Sequence, residues 1–150
     1  MDLSFVFHFM NGFDQDGVIT VDWCQLSHAP LFPLVDGSDS GKAIPYLHRW
    51  TIVMNAEKPQ IEFKKIDQYE SEFPQCDLPI IKPYRHFWYV SPDGELARTI
   101  SKDAEHFFNM IGHFDHETGK DERYSLGKAL NRTHYLYLSQ KMLAKVKDFY

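Results

Sequence analysis

Several features that would mark a function at once are scarce in this sequence. There are two cysteines, Cys24 and Cys76. They form no CxxC pair and no disulfide framework, so a reduced, cytoplasmic setting is expected. No apolar run reaches about 18 residues, which argues against a membrane-spanning helix. Lys and Arg number 16 against 21 Asp and Glu, for a net charge of −5. The basic residues are scattered, so no electrostatic footprint for nucleic acid is present. The N-terminus has neither a basic leader nor a small-residue cleavage site, and no signal peptide is expected. Helical periodicity is missing until late in the chain.

What is present is apolar and aromatic. The 150 residues are 43% hydrophobic and 15% aromatic, one domain's worth of chain with ample material for a core. Leu3 to Phe13 sets His8 inside a run of aromatic and aliphatic side chains and is expected to break at Asn11-Gly12. After the turn Asp14-Gln15-Asp16-Gly17, Val18 to Trp23 is rich in β-branched residues and reads as a second strand. Ser27 to Lys42, with Pro30, Pro33, Gly37 and Gly41, reads as a long loop. Tyr46 to Met54 and Gln60 to Ile66 are the next strands, followed by a passage from Tyr69 to Asp77 interrupted by Pro74. Arg85 to Val90, Phe107 to Phe114 and Lys120 to Leu126 complete a β-meander, the last two joined by the turn Asp115-His116-Glu117-Thr118-Gly119. Strand pairs at fairly even spacing suggest a sandwich or a propeller. Blades of about 40–50 residues would make the chain about three blades long.

Taken alone, one histidine in a Phe-rich strand is more often a core residue with a hydrogen-bond partner than a metal ligand. A resemblance shifts that balance. Phe7-His8-Phe9-Met10-Asn11-Gly12-Phe13, followed by Asp-Gly and a Val-Ile-x-Val-Asp strand, resembles a segment of the carotenoid cleavage oxygenase family. Within that family the likeness is greater to the lignostilbene, or stilbene-cleaving, dioxygenases. Leu47-His48-Arg49-Trp50-Thr51-Ile52 is similar to a second family strand. Glu72-Phe73-Pro74-Gln75 with Lys82-Pro83-Tyr84-Arg85 is similar to a third passage, and the Asp115 to Gly119 turn to a fourth. The resemblance covers roughly Leu3 to Gly127.

The resemblance implies an all-β fold, part of a seven-bladed β-propeller, over residues 1–127, followed by a divergent tail, 128–150. That tail reads as a strand running into a C-terminal helix, or as a tail unrelated to the family. It implies that His8 is one of four imidazole ligands of Fe(2+), and that Glu72 accepts the other ring N–H of a ligand histidine. It also implies that Phe5 lines the substrate pocket. The bare alternatives are that Glu72 is solvated beside Glu70 and that Phe5 is ordinary core. The family reaction is oxidative cleavage of a conjugated C=C bond by dioxygen, on an apolar aromatic or polyene substrate, to two carbonyl products.

The departures are equally plain. Family members are several times longer, and three of the four ligand histidines have no counterpart here. His28 and His48 read as surface residues. His113 and His116, at a hairpin tip with His106 nearby, are expected to face solvent rather than metal. Too few blades to close a ring leave open sheet edges. Two readings follow: a dioxygenase segment active only with a completing polypeptide, or a non-catalytic β-rich interaction module or truncated remnant.

Overall fold

The computed structural model describes residues 4–29, 35–38, 41, 43–54, 57–77, 81–93 and 108–126, and the structural statements below concern these. The reading of 128–150, like His106, falls outside them. All the regular structure is β, in eight strands: β1 (Phe5–Gln15), β2 (Val18–Leu26), β3 (Tyr46–Val53), β4 (Gln60–Glu70), β5 (Glu72–Cys76), β6 (His86–Ser91), β7 (Met110–Asp115) and β8 (Lys120–Ser125). They form two four-stranded antiparallel meanders, β1-β2-β3-β4 and β5-β6-β7-β8, each with the connectivity of one propeller blade.

The β1–β2 hairpin is tighter than the sequence suggests. Gln15 pairs with Val18, and the two residues between them, Asp16 and Gly17, have φ of 54° and 77°. That is the primed two-residue turn that matches strand twist. The expected break at Asn11-Gly12 does not occur, because β1 continues through both residues. Its irregularities lie earlier, between Val6 and Phe9 and between Phe9 and Asn11, where bulges bend the strand. Pro74 does not interrupt structure either. It lies in β5, an edge strand, where a missing N–H is tolerated.

The two sheets meet face to face. Met10, Cys24 and Leu47 of the first pack with Phe87 and Tyr89 of the second, flanked by Ile66, Cys76, Tyr84 and Phe114. Each large side chain so buried contributes about 1.5–3 kcal/mol. Tyr89 lies directly against Gly112, where a Cβ would fall 2.1 Å from the ring; only glycine fits. The Tyr89 hydroxyl donates to Asp121 at 2.8 Å.

A polar clamp joins the same two sheets. Asp22 of β2 is fully buried and accepts two bonds from Arg49 of β3, both 2.9 Å. It also accepts a 2.6 Å bond from the hydroxyl of Tyr84, just before β6. His116, beyond β7, closes the cluster with Nε2 at 3.3 Å from the Arg49 guanidinium and 3.2 Å from the Tyr84 hydroxyl. A guanidinium only donates, so Nε2 accepts from it and the ring is neutral. The expectation that His116 faces solvent is therefore corrected: the hairpin tip folds back onto the first sheet. His113 is also covered, with 12% of its side chain exposed, and stacks on Trp88 at 5.2 Å. His48 is half-buried and bonds through Nδ1 to the Tyr46 carbonyl oxygen.

The turn itself is held by Asp115, which accepts from Arg85 at 3.0 and 2.8 Å and from the Glu117 N–H at 2.9 Å. Gly119 has φ of 70°, the left-handed conformation that glycine adopts at no steric cost.

The opposite face of the first sheet carries an aromatic row across all four strands. Phe9, Trp23, Trp50 and Phe63 meet edge to face, with centroids 5.3, 4.1 and 4.5 Å apart. Phe9, Ile61 and Phe63 remain about half exposed or more.

Burial, then the neighbouring Arg49 charge, push His116 down to about 4, against about 6.5 in an unfolded chain. Between those values the unfolded chain binds a proton that the folded one refuses, so stability is lost as pH falls through that window. His113, also lowered by burial, adds the same sign. Urea midpoints measured from pH 7 to pH 4 should fall, and His116→Gln should flatten the slope without abolishing it. An unchanged slope in the variant would show that His116 is already free to protonate.

Candidate functional site

The inner edges of the two sheets, β1 and β5, lie against each other, whereas the outer edges, β4 and β8, are exposed and charged. Charge on an outer edge discourages pairing with other chains. The inner edges are where the sequence concentrates its candidate chemistry.

His8 sits in the first irregularity of β1, between the paired residues Val6 and Phe9. Its Nδ1 lies 2.6 Å from Oε2 of Glu72 on β5, across a sequence separation of 64 residues. An ionised carboxylate only accepts, so Nδ1 carries a proton, and in the neutral ring the lone pair is then on Nε2. Nothing among the described residues bonds to Nε2. Glu72 is 7% exposed at its side chain, against 39% for His8. Burial pushes the Glu72 carboxyl above its ordinary value, opposed by the His8 bond. The same Oε2 accepts the Phe73 N–H at 3.3 Å, so Glu72 is not a solvated partner of Glu70.

Aromatic rings surround this pair. Phe73 lies 4.4 Å from the His8 ring, centroid to centroid, and meets Phe108 edge-on at 6.0 Å. On the other side Phe7 is 6.3 Å from His8 and packs edge to face with Phe5 at 4.7 Å. The structure thus brings Phe5, His8 and Glu72 to one edge. Phe5 meets Phe7, whose ring in turn lies beside His8.

Asn11 contributes a contact that sequence reasoning did not anticipate. It is 4% exposed, donates to the Lys82 carbonyl at 2.9 Å and accepts from the Ile81 and Gly12 N–H groups, both at 3.0 Å. One amide therefore ties the loop before β6 to the strand bearing His8. The only signal for it was the position of Asn11 three residues after the histidine.

The other described histidines do not join this site. His28 bonds to Ser27 and to the Gly41 carbonyl, His86 and His113 lie 3.2 Å apart on the second sheet, and His116 belongs to the clamp. Among the described residues no three His, Cys, Asp or Glu side chains are grouped to hold a metal ion. As a ligand set they offer one well-oriented imidazole.

The family model for RPE65, retinal pigment epithelial membrane protein, matches residues 1–140. The chain belongs to this carotenoid oxygenase family. It is 34% identical over 131 residues to lignostilbene-alpha,beta-dioxygenase isozyme III of Sphingomonas paucimobilis, covering 82% of the chain and 27% of that protein. It is 26% identical to the isoeugenol monooxygenase of Pseudomonas putida, covering 82% and 27%. The crystal structure of Pseudomonas brassicacearum lignostilbene dioxygenase superposes with a TM-score of 0.73 at 28% identity, over 84% of this chain and 28% of that one. The Synechocystis apocarotenoid oxygenase shares the fold, with a TM-score of 0.60 at 21% identity. The chain spans about a quarter of the length of these carotenoid oxygenase relatives, and its partial propeller is a segment of their fold.

Replacing Asn11, whose own side chain is buried, by Ala leaves the Ile81 and Gly12 N–H groups and the Lys82 carbonyl without their side-chain partner. The expected loss is about 1–3 kcal/mol of stability, read from urea unfolding. A change within about 0.5 kcal/mol, the range of ordinary surface substitutions, would mean that the loop is held otherwise.

Proposed function

We propose that this chain supplies the His8 segment of a non-haem iron(II) dioxygenase that cleaves a conjugated C=C bond of a stilbene-like or apocarotenoid substrate. The observation that carries the proposal is the His8 Nδ1 to Glu72 hydrogen bond. A metal-bound imidazole presents one nitrogen to the metal and gives the other ring N–H to a carboxylate, which fixes tautomer and direction. His8 is arranged in that way before any metal is considered.

In this reading His8 Nε2 is one ligand, and Glu72 keeps the proton on Nδ1. Phe5, with Phe7, forms part of an apolar wall for the substrate. Iron(II), when bound, would supply the activation of dioxygen that splits the double bond into two carbonyl products. The remaining ligands must come from polypeptide other than the described residues. The exposed Phe9, Ile61 and Phe63 on the first sheet support such a completing polypeptide, since apolar patches of this kind mark contact surfaces. The unpaired Cys24 and Cys76 agree with a reducing, cytoplasmic location. No helix among the described residues is long and apolar enough to cross a membrane.

The second reading, a non-catalytic β-rich module that binds a partner, is favoured by one observation: the described residues contain no complete metal-binding group. Coexpression separates the two. The chain would be paired with the remaining segments of a lignostilbene dioxygenase, and the assembly tested for iron and for aldehyde release from a stilbene. The dioxygenase reading expects stoichiometric iron and cleavage products. His8→Ala should abolish iron uptake, and Glu72→Gln should weaken iron affinity by roughly 10–100-fold. A stable assembly without iron or products would favour the binding module, and unchanged iron in His8→Ala would remove the ligand assignment.

A further inference from the structure

Phe73 adopts a backbone conformation that its side chain disfavours. Its φ is 50°, a region that bulky residues occupy only where the surroundings enforce it, and such strain clusters at functional sites. The cause is local. Glu72 pairs with Val90 and Gln75 with Trp88, so Phe73 and Pro74 together oppose one residue of β6, in a bulge. Bulges re-aim side chains. This one turns two parts of Phe73 onto the same target: its N–H bonds to Glu72 Oε2 at 3.3 Å, and its ring covers the His8 imidazole at 4.4 Å.

We propose that Phe73 is a positioning residue for His8, its ring and its strained N–H together holding the imidazole in the Nδ1–H tautomer with Nε2 left as the donor. The role rests on His8 being the ligand proposed above, but the effect on the ring exists without metal. With the ring removed, His8 is held by one hydrogen bond and can rotate about its terminal torsion, which is broad for an imidazole. With the N–H displaced, the carboxylate loses the second bond that aims Oε2 at Nδ1. Phe108 meets the Phe73 ring edge-on at 6.0 Å.

The test is the tautomer itself, read from the nitrogen shifts and long-range proton–nitrogen couplings of His8 in the full chain near pH 7.5. The native protein should show a protonated Nδ1 and an unprotonated Nε2. In Phe73→Ala the ratio of the two tautomers should move toward parity by roughly three- to tenfold, the value of one aromatic contact. Phe73→Tyr, which keeps the ring, should restore the native ratio. Phe73→Gly guards against a variant that fails to fold, because glycine accepts the positive φ without strain. It should keep or raise the urea midpoint while losing the tautomer preference, and Gly112, packed against Tyr89, reports that the fold persists. A native tautomer ratio in folded Phe73→Gly would overturn the proposal. If the coexpressed assembly took up no iron while these ratios still moved, the ligand reading would fall and the positioning role would stand.

Discussion

One hydrogen bond ties the inner edges of the two sheets together: Nδ1–H of His8 to the carboxylate of Glu72. Its setting makes it decisive. The carboxylate is buried, and a buried charge without a partner is costly. The imidazole and the Phe73 N–H both donate to the same oxygen. Burial raises the proton affinity of Glu72 while these bonds oppose it, so the carboxylate depends on its donors. The backbone around it is adjusted accordingly, with a bulge in each strand.

The contact needs the two sheets in fixed relation, and two different devices hold them. Apolar burial of Leu47, Cys24, Phe87 and Tyr89 supplies the non-directional part. The Asp22, Arg49, Tyr84 and His116 cluster supplies direction, since a fully buried carboxylate with three charge-assisted or short hydrogen bonds tolerates one arrangement. Removing one partner of such a buried pair typically costs 3–5 kcal/mol, more than the pair contributes as a whole. The cluster therefore specifies how the sheets sit more than it adds to stability.

What the fold leaves uncovered is as informative as what it buries. The outer strands β4 and β8 are largely charged, yet β4 also presents Ile61 and Phe63, which with Phe9 stay about half exposed or more. A complete metal centre is missing from the described residues.

The sequence by itself determined the β character, the strand positions and the pairing of His8 with Glu72. Strand periodicity, turn residues and short motifs are local signals, and the family likeness of Phe7 to Phe13 and Glu72 to Gln75 carried the distant pair. It misjudged Asn11-Gly12 and Pro74 as breaks, because a bulge or an edge position can absorb residues that a regular strand rejects. Only the tertiary structure decided the rest. Asn11 reaches Ile81 and Lys82, Asp22 reaches Tyr84, and Arg49 reaches His116; each partner is more than 60 residues away, and the local motif around one residue does not say which distant residue it meets. His116 was read as a solvated hairpin tip for that reason. Whether a histidine meets water or a guanidinium depends on how two sheets pack, and no periodicity within either strand encodes it.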